Sequence, residues 1–429
     1  MYRIAVLSYH TSPLAPLGGR ETGGLNVYVR ELARELVERG HHVDVFTRRT
    51  DADAPEMVPM AGHAPPNGRP SAQADGRPVA RLVHIDAGSA APLEKETLPA
   101  HIDAFEAGVA AFVRREGLTY DVLHSHYWLS GLVAERLKTR WGLPHIAMFH
   151  TTGQVKNRSR ISEQEPEARI EAERAIAQEA ERVVVATRDE QQLLVRLYGA
   201  NADSIAVVPC GVNLDLFRPI AKEDARRQLG LSDDDRILLF VGRIEPLKGV
   251  DILLGAAAQL EGESDCFVLV VGGDSSDRDG EVAHLRGLAA ELGIAERVSF
   301  LGAVDHERLP LFYSAADICV MPSFYESFGL VALEAMACGT PVVASRVGGL
   351  AGTVRDSETG YLIPWRCPEP FAERLELLLG NEELRRAFGL AARKAVERFR
   401  WGNVAEAMLG LYRELIEGAP VRGTMAFRN

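Results

Sequence analysis

The chain lacks the cysteine patterns that mark disulfide frameworks and zinc sites. Its 429 residues include five cysteines, an odd number, scattered and without a C-x-x-C pair. That usage excludes a disulfide scaffold and favours a reducing cytoplasm. A long apolar run is also missing, because the opening segment MYRIAVLS is too short for the core of a signal peptide and far shorter than the roughly 20 residues of a membrane span. We expect a cytoplasmic protein without a membrane span.

An excess of basic charge is absent as well. Lys and Arg number 48 against 60 Asp and Glu, for a formal net charge of -12. This balance argues against a nucleic-acid partner but leaves room for a small local anion site. Because single hydrophobic cores stop growing at about 250–300 residues, the length predicts two domains with a cleft between them.

What is present is a repeated alternation of short β-branched runs with helix-period stretches. The predicted strands cover residues 3–8, 42–47, 121–126, 145–150 and 182–187 in the first half, and 236–242, 266–272, 297–302, 317–323 and 340–345 in the second. The alternation predicts an α/β fold of two doubly wound, Rossmann-like domains facing across a cleft.

Composition also suggests where the chain divides. Gly and Pro interrupt residues 209–219, where periodicity stops. We place an N-terminal Rossmann-like domain at 1–211, a C-terminal one at 212–400, and a last segment at 401–429 whose helix could pack back on the first domain. Residues 51–80, rich in Ala, Pro, Gly and Asp, are predicted to be a mobile loop.

A glycine-rich segment, residues 18–28 (GGRETGGLNVY), joins the first predicted strand to a helix. Glycines let a ligand approach the backbone, and a helix start offers free N–H groups to an anion. The spacing is not G-x-G-x-x-G, so a plain flexible turn is the alternative.

Two cations, Arg243 and Lys248, follow a strand in the second half, in VGRIEPLKG. The carboxyl edge of a parallel sheet is where such folds bind ligands, and this pair suits a diphosphate. Solvated loop charges are the alternative.

The segment at 322–337, PSFYESFGLVALEAMA, carries a glutamate in an almost wholly apolar helix. Glu334 should therefore be buried, and because an unpaired buried carboxylate is costly, we expect ligand hydroxyls to donate to it. An exposed helix glutamate is the alternative. Gly329 at the helix start would add backbone N–H groups beside Arg243 and Lys248.

Histidines follow two strands of the first half, in HSHYWLSG and FHTT. Alternation places His124 and His126 on one face, which could form a metal pair, but no third ligand lies at a suitable spacing. We expect one of the two to hydrogen-bond and the other to pack, and we expect no metal.

Taken together, GGLNVY, HSHYWLSG, FHTTGQVKN, VGRIEPLKG and PSFYESFGLVALEAMACGTPVVAS resemble the family-4 retaining glycosyltransferases of GT-B architecture, in order and over almost the whole chain. The resemblance implies catalytic roles for His150 beside the sugar ring and for Arg243, Lys248 and Glu326. It further implies a donor site in which Arg243 and Lys248 hold the diphosphate, Glu334 the ribose, Glu326 the sugar hydroxyls, and Gly24, Phe328, Gly329 and Leu330 give backbone amides.

The HTSPLAP, EKETLP and VKN…PEAR segments are similar to those of the family members that glycosylate inositol phosphate. This likeness implies that Lys95, Tyr127, Thr151 and Arg169 bind an acceptor phosphate and Asn26 an acceptor hydroxyl. Two cations, a phenol and a hydroxyl make a chemically sensible phosphomonoester site. Solvated charges at Lys95 and Arg169 are the alternative.

The function implied is transfer of a hexosyl group, with retention, from UDP-glucose or UDP-N-acetylglucosamine to a small phosphorylated polyol or sugar such as inositol phosphate. The alternatives are transfer to fructose 6-phosphate, as in sucrose-phosphate synthase, a nucleotide-sugar epimerase of the same architecture, and a nucleotide-sugar-binding protein without turnover. No cofactor or divalent metal is expected. The oligomeric state stays open, with a homodimer among the options.

Overall fold

The computed structural model describes residues 1–16, 22–60, 78–159, 164–260, 266–274, 280–364 and 366–418. Within them the chain forms two predominantly parallel sheets flanked by helices, which confirms the predicted fold class. None of the helices in these ranges is long and apolar enough to cross a membrane.

The first sheet contains eight strands, of which one is antiparallel. They are β1 (Arg3–Leu7), β2 (His42–Arg48), β3 (Met57–Pro59), β4 (Ala80–Ile85), β5 (Val122–His126), β6 (His145–Met148), β7 (Arg182–Val185) and β8 (Ile205–Val207). Their order is β3-β4-β2-β1-β5-β6-β7-β8. All five strands predicted for this half are present, within two residues at each end.

Helices flank this sheet. They are α1 (Gly24–Glu38), α2 (Ile102–Arg115), α3 (Trp128–Trp141), α4 (Gly153–Ser159), α5 (Glu167–Glu179) and α6 (Arg188–Leu193). In α1, for example, Val29, Leu32 and Leu36 are buried at helical spacing, so one face packs on the sheet.

The second sheet has six strands, all paired in parallel. They are β9 (Arg236–Val241), β10 (Cys266–Val271), β11 (Val298–Gly302), β12 (Ile318–Met321), β13 (Val342–Ser345) and β14 (Gly360–Ile363), in the order β11-β10-β9-β12-β13-β14. Consecutive residues of β9, such as Leu238 and Leu239, are fully buried because helices cover both faces.

The helices of the second half are α7 (Lys222–Leu229), α8 (Val250–Ala258), α9 (Glu281–Glu291), α10 (Leu309–Ala315), α11 (Leu330–Ala337), α12 (Leu350–Thr353), α13 (Pro368–Leu379), α14 (Glu382–Ala395) and α15 (Trp401–Glu417).

The prediction of a mobile loop at 51–80 is wrong for residues 57–59 and for Ala80, which belong to strands. Residues 57–59 form β3, which pairs antiparallel with β4, and Ala80 opens β4. Composition hid β3 because its pairing is non-local and because an edge strand tolerates a proline such as Pro59. Residues 61–77 of that segment lie outside the described ranges.

The chain crosses between the two sheets twice, at adjacent places. The Val212 N–H donates to the Phe399 carbonyl at 2.7 Å, so the outgoing and returning segments lie side by side. Helix α15 then packs on α1, where the rings of Trp401 and Tyr28 meet edge to face at 5.3 Å. A Cβ on Gly211 would lie 2.5 Å from the Trp401 ring, so this crossing requires glycine.

Candidate active site

A cavity of about 340 Å³ lies between the two sheets and opens at the carboxyl ends of their strands. Residues from both halves line it. Its N-terminal wall contains Gly24, Asn26, Lys95, Tyr127, His150 and Thr151, and its C-terminal wall contains Arg243, Lys248, Glu326, Phe328, Gly329, Leu330 and Glu334. The cavity therefore brings together every predicted site residue except Arg169, which lies behind the N-terminal wall. Residues 18–21 of the glycine-rich segment are outside the described ranges.

The two cations of the C-terminal wall are partly exposed, and each faces a glutamate. Lys248 Nζ lies 2.7 Å from Glu326 Oε2, and Arg243 Nη2 lies 3.0 Å from Glu245 Oε1. Their side chains are 20% and 39% exposed. Because both line the cavity, they are placed to meet an anion there, rather than being loop charges pointing into bulk water.

A glycine fixes the turn that carries Lys248. Gly249 has φ +68°, and a Cβ at this position would lie 2.2 Å from the Pro322 carbonyl oxygen. The backbone of this turn therefore packs directly against the segment that leads to Glu326, which keeps Lys248 and Glu326 adjacent.

Glu334 is buried as predicted, with 6% of its surface exposed. Its hydrogen-bond donors need not come from a ligand, because the protein supplies two of them, and donation by ligand hydroxyls stays a prediction. His306 Nε2 lies 2.9 Å from one carboxylate oxygen, and the Tyr313 hydroxyl donates to the other at 2.8 Å. Each oxygen keeps a further lone pair, so Glu334 can still accept from a ligand in the cavity.

The two walls touch near the start of α11. Gly329 has φ +90° and precedes this helix, and a Cβ on it would lie 2.7 Å from Leu350. Across the cleft, a Cβ on Gly24 would lie 3.1 Å from Leu330 Cδ1. Ser327 donates its hydroxyl to the His150 carbonyl at 2.6 Å, which adds a hydrogen bond between the two walls.

Arg169 is not a solvated charge, since only 1% of it is exposed. Its guanidinium lies 2.7 Å from both Glu165 and Glu173, and it donates to the Thr151 carbonyl at 3.0 Å. Although burial alone would lower the pKa of Arg169, the interactions with Tyr127 and the two glutamates outweigh it and raise that pKa. The guanidinium is thus a fixed positive charge behind the N-terminal wall.

The Tyr127 ring connects this charge to a second one. Arg169 Cζ and Lys95 Nζ lie 4.9 Å and 5.3 Å from the ring centroid, so both cations contact the same aromatic ring. Lys156, which also lines the cavity, pairs with Glu165. Burial raises the pKa of Glu165, but Arg169 and Lys156 outweigh this effect and lower it to about 2, so Glu165 is ionised.

Asn26 is largely occupied by the protein. Its side-chain oxygen accepts from the Gly23 N–H at 2.9 Å, and its amide donates to Thr11 Oγ1 at 2.9 Å and to the Ser12 carbonyl at 2.7 Å. With both amide protons used, only the second lone pair of its oxygen is left for a ligand hydroxyl.

Both histidines of the HSH segment form hydrogen bonds, so the expectation that one of them only packs is wrong. His124 Nδ1 lies 2.8 Å from the Tyr412 hydroxyl, and His126 Nδ1 lies 2.8 Å from His150 Nε2. Burial lowers the pKa of His124 and of His150 to about 3, so both rings are neutral near pH 7. In the part of the chain that the structure describes, no group of three or more potential metal-ligating side chains occurs.

Sequence reasoning missed several residues that support these walls. Glu165 and Glu173 flank Arg169 at four residues on either side, a spacing that could have indicated ion pairs. His10 follows β1 at its carboxyl end and lines the cavity, and its Nδ1 is buried with no partner among the described residues. His306 and Tyr313, which hold Glu334, gave no local signal.

Two Rossmann-like domains that meet across a cleft, with cations and a buried glutamate at the strand ends of one of them, define a glycosyltransferase of the GT-B class. The family model "Glycosyltransferase Family 4" matches residues 22–216, and "Glycosyl transferases group 1" matches residues 221–395. The chain is 43% identical to D-inositol 3-phosphate glycosyltransferase 2 of Catenulispora acidiphila, over 97% of this chain and 95% of that protein.

Two further relatives support the same assignment. D-inositol 3-phosphate glycosyltransferase of Acidothermus cellulolyticus is 44% identical over 96% of this chain and 90% of its own length. The structure of sucrose-phosphate synthase from Thermosynechococcus elongatus matches with a TM-score of 0.86 and 36% identity, over 98% of this chain and 100% of that one. The chain belongs to the family-4 glycosyltransferases, which confirms the resemblance, and it is an enzyme that transfers glycosyl groups.

Proposed function

We propose that this enzyme transfers a hexosyl group, with retention of anomeric configuration, from a uridine diphosphate sugar to inositol phosphate or a closely similar phosphorylated polyol. The observation that carries the acceptor class is the charge of the N-terminal wall. Three cations (Lys95, Lys156 and Arg169) face two carboxylates (Glu165 and Glu173), which leaves one positive charge in excess. An acceptor phosphate supplies the missing negative charge. The names of the two curated relatives point to the same acceptor.

The C-terminal wall fits the donor. Arg243 and Lys248 would stabilise the negative charge that develops on the departing diphosphate, a contribution made mainly in the transition state. Glu334 would hold the ribose hydroxyls through its remaining lone pairs, and Glu326, beside Lys248, the hydroxyls of the sugar. The departing phosphate would take the proton of the acceptor hydroxyl, which attacks from the same face. UDP-glucose and UDP-N-acetylglucosamine are the proposed donors.

The proposal includes no cofactor and no divalent metal, because two protein cations already face the place assigned to the diphosphate. We also propose a reducing cytoplasmic location, supported by five free cysteines, four of them buried. The relatives are named as transferases or synthases, which gives no support to the epimerase alternative.

The test is nucleotide release by the purified enzyme with UDP-glucose, UDP-N-acetylglucosamine or GDP-mannose, each with inositol phosphate, fructose 6-phosphate, unphosphorylated inositol or no acceptor. We expect release that depends on inositol phosphate and persists in EDTA. Release only with fructose 6-phosphate would instead support the sucrose-phosphate synthase alternative, whose structure matches at 36% identity. Equal release with inositol and inositol phosphate would contradict the phosphate site, and an epimerised donor would contradict transfer.

A further inference from the structure

A chain of buried rings connects the C-terminal helix α15 to His150. The Tyr412 hydroxyl lies 2.8 Å from His124 Nδ1. The rings of His124 and His126 lie 4.3 Å apart, and His126 Nδ1 lies 2.8 Å from His150 Nε2. His124 and His126 are fully buried, whereas His150 lines the cavity. We call these three residues the histidine chain.

A second contact from α15 reaches the same place. The Trp401 ring packs edge to face on Tyr28 at 5.3 Å, and Tyr28 lies 5.3 Å from His150 and 5.6 Å from His126. Helix α15 therefore supports the far side of His150 at two points, although the two are far apart in the sequence.

The backbone of His150 needs such support. Its φ is 61°, in the left-handed region that a residue with a side chain rarely adopts. Conformations of this kind persist only where the surroundings impose them, and they occur often at functional sites. Here the surroundings are His126 on the ring and Ser327 on the carbonyl oxygen.

The hydrogen bond between His126 and His150 can be formed in two ways. Burial lowers the pKa of both rings, so each is neutral and carries one proton. If His150 donates, the proton of His126 must lie on its Nε2, which is buried and has no partner among the described residues. If His126 donates from Nδ1, its Nε2 is only an unused lone pair. Buried N–H groups without an acceptor are rarer in proteins than buried acceptors without a donor, so donation from His126 to His150 is favoured.

We propose that His126 is a positioning residue whose Nδ1–H holds His150 as the Nδ1–H tautomer, so that His150 presents a hydrogen-bond donor to the hydroxyls of the sugar in the cleft. Helix α15 stabilises this arrangement through Tyr412 and Trp401. The role in turnover rests on the proposed function, but the tautomer itself does not. Among the described residues, none pairs with His150 Nδ1, which agrees with a nitrogen directed at a ligand.

The first test compares three substitutions of His126. In His126→Asn the amide nitrogen occupies nearly the position of Nδ1, whereas in His126→Gln it matches Nε2, and His126→Leu has no donor. We expect His126→Asn to keep kcat within about threefold of wild type, and the other two to lose roughly tenfold or more, with an unchanged acceptor KM. Equal activity of the Asn and Gln variants at equal melting temperature, or an active Leu variant, would overturn the proposal.

The contribution of α15 is tested by Tyr412→Phe, which removes only the hydroxyl that contacts His124. A threefold loss of kcat is the expected size, about that of one neutral hydrogen bond acting indirectly. Tyr2→Phe is the matched control, because the Tyr2 hydroxyl also contacts α15, at Glu417, but lies outside the histidine chain. Equal kcat values for the two variants would remove α15 from the proposal.

A third test does not depend on turnover. Two-bond ¹H–¹⁵N spectra of the ¹⁵N-histidine-labelled enzyme report which ring nitrogen carries the proton. His150, assigned from the signals lost in His150→Gln, should be the Nδ1–H tautomer in wild type and in His126→Asn, and should lose that preference in His126→Gln. An Nε2–H tautomer in wild type would refute the proposal even in an active enzyme. If wild type releases no nucleotide with any acceptor but shows the Nδ1–H tautomer, the proposed function fails and the tautomer assignment stands.

Discussion

The two walls of the cleft hold their positive charges in opposite ways. On the N-terminal side Arg169 is 1% exposed and lies between two glutamates at 2.7 Å, with Tyr127 across it. On the C-terminal side Arg243 is 39% exposed and faces one glutamate at 3.0 Å. The first charge is part of the folded core, whereas the second belongs to a loop. In the N-terminal wall the same charge therefore serves both stability and binding, whereas in the C-terminal wall the charge can serve binding without contributing to stability.

The two halves also differ in their buried, uncharged histidines. Four histidines with strongly lowered pKa values, His10, His124, His126 and His150, all belong to the N-terminal half. Burial is the largest cause of each shift. Buried groups that cannot move suit a small ligand of constant shape. Exposed cations that can move suit a diphosphate whose charge changes during the reaction.

The largest expected effect is a loss of folding stability at low pH, caused by the buried histidines of the N-terminal half. The unfolded state binds protons at these histidines from pH 6.5 downward, whereas burial keeps His10, His124 and His150 neutral in the native state until about pH 3 and lowers the pKa of His126 as well. The free energy of unfolding should therefore fall as the pH falls below 6.5, by up to about 1.4 kcal/mol per pH unit for each histidine that stays neutral in the native state. Urea unfolding at pH 7.5 and pH 5 measures this loss. The His126→Asn variant should show a smaller pH dependence, and identical stability at both pH values would contradict the assigned burial.

Replacing Arg169 by Ala should destabilise the enzyme by about 3–5 kcal/mol, because the buried Glu173 is left without its cation and Glu165 keeps only Lys156. From sequence alone we would expect only a higher acceptor KM, and burial changes that expectation. Thermal and urea unfolding measure the effect. Arg174→Ala on the same helix is the control and should change stability by less than about 0.5 kcal/mol. Wild-type stability in Arg169→Ala would show that the two walls do not differ as described.

Replacing Lys248 by Ala should lower kcat/KM by roughly a hundredfold, about 2.7 kcal/mol of transition-state stabilisation, with an unchanged melting temperature. The control is Lys222→Ala, because Lys222 lies in the same domain and pairs with Asp317 outside the cavity. Steady-state kinetics with varied donor decide the matter. A Lys248→Ala variant with a lowered melting temperature and a wild-type kcat/KM would contradict the comparison between the walls.

The smallest effect is expected at the contact between the walls. Ser327→Ala removes the hydrogen bond to the His150 carbonyl, worth about 1 kcal/mol, so kcat should fall roughly fivefold. Single-turnover kinetics would place the loss in the step that follows substrate binding. If kcat is unchanged while product release accelerates, the bond limits opening of the cleft instead.

Much of the architecture was predictable because its signals are local. Strand periodicity located β1, β2, β5, β6 and β7 in the first sheet and five of six strands in the second. Strands β3, β4, β8 and β14 were missed, and of these β3, β8 and β14 are short edge strands that gain their pairing from distant neighbours. Burial of Glu334 was also predictable, because the residues beside it are apolar.

By itself, the sequence determined the fold class, the family and thirteen of the residues that line the cleft, because hydrophobic periodicity and motif spacing depend on neighbours along the chain. Only the tertiary structure decided which groups meet. Glu334 takes its donors from residues 21 and 28 positions away, and His124 meets Tyr412 across 288. Hydrogen bonds are satisfied in space, so the donors to Glu334 and the proposed tautomer of His150 depend on contacts that no local pattern records.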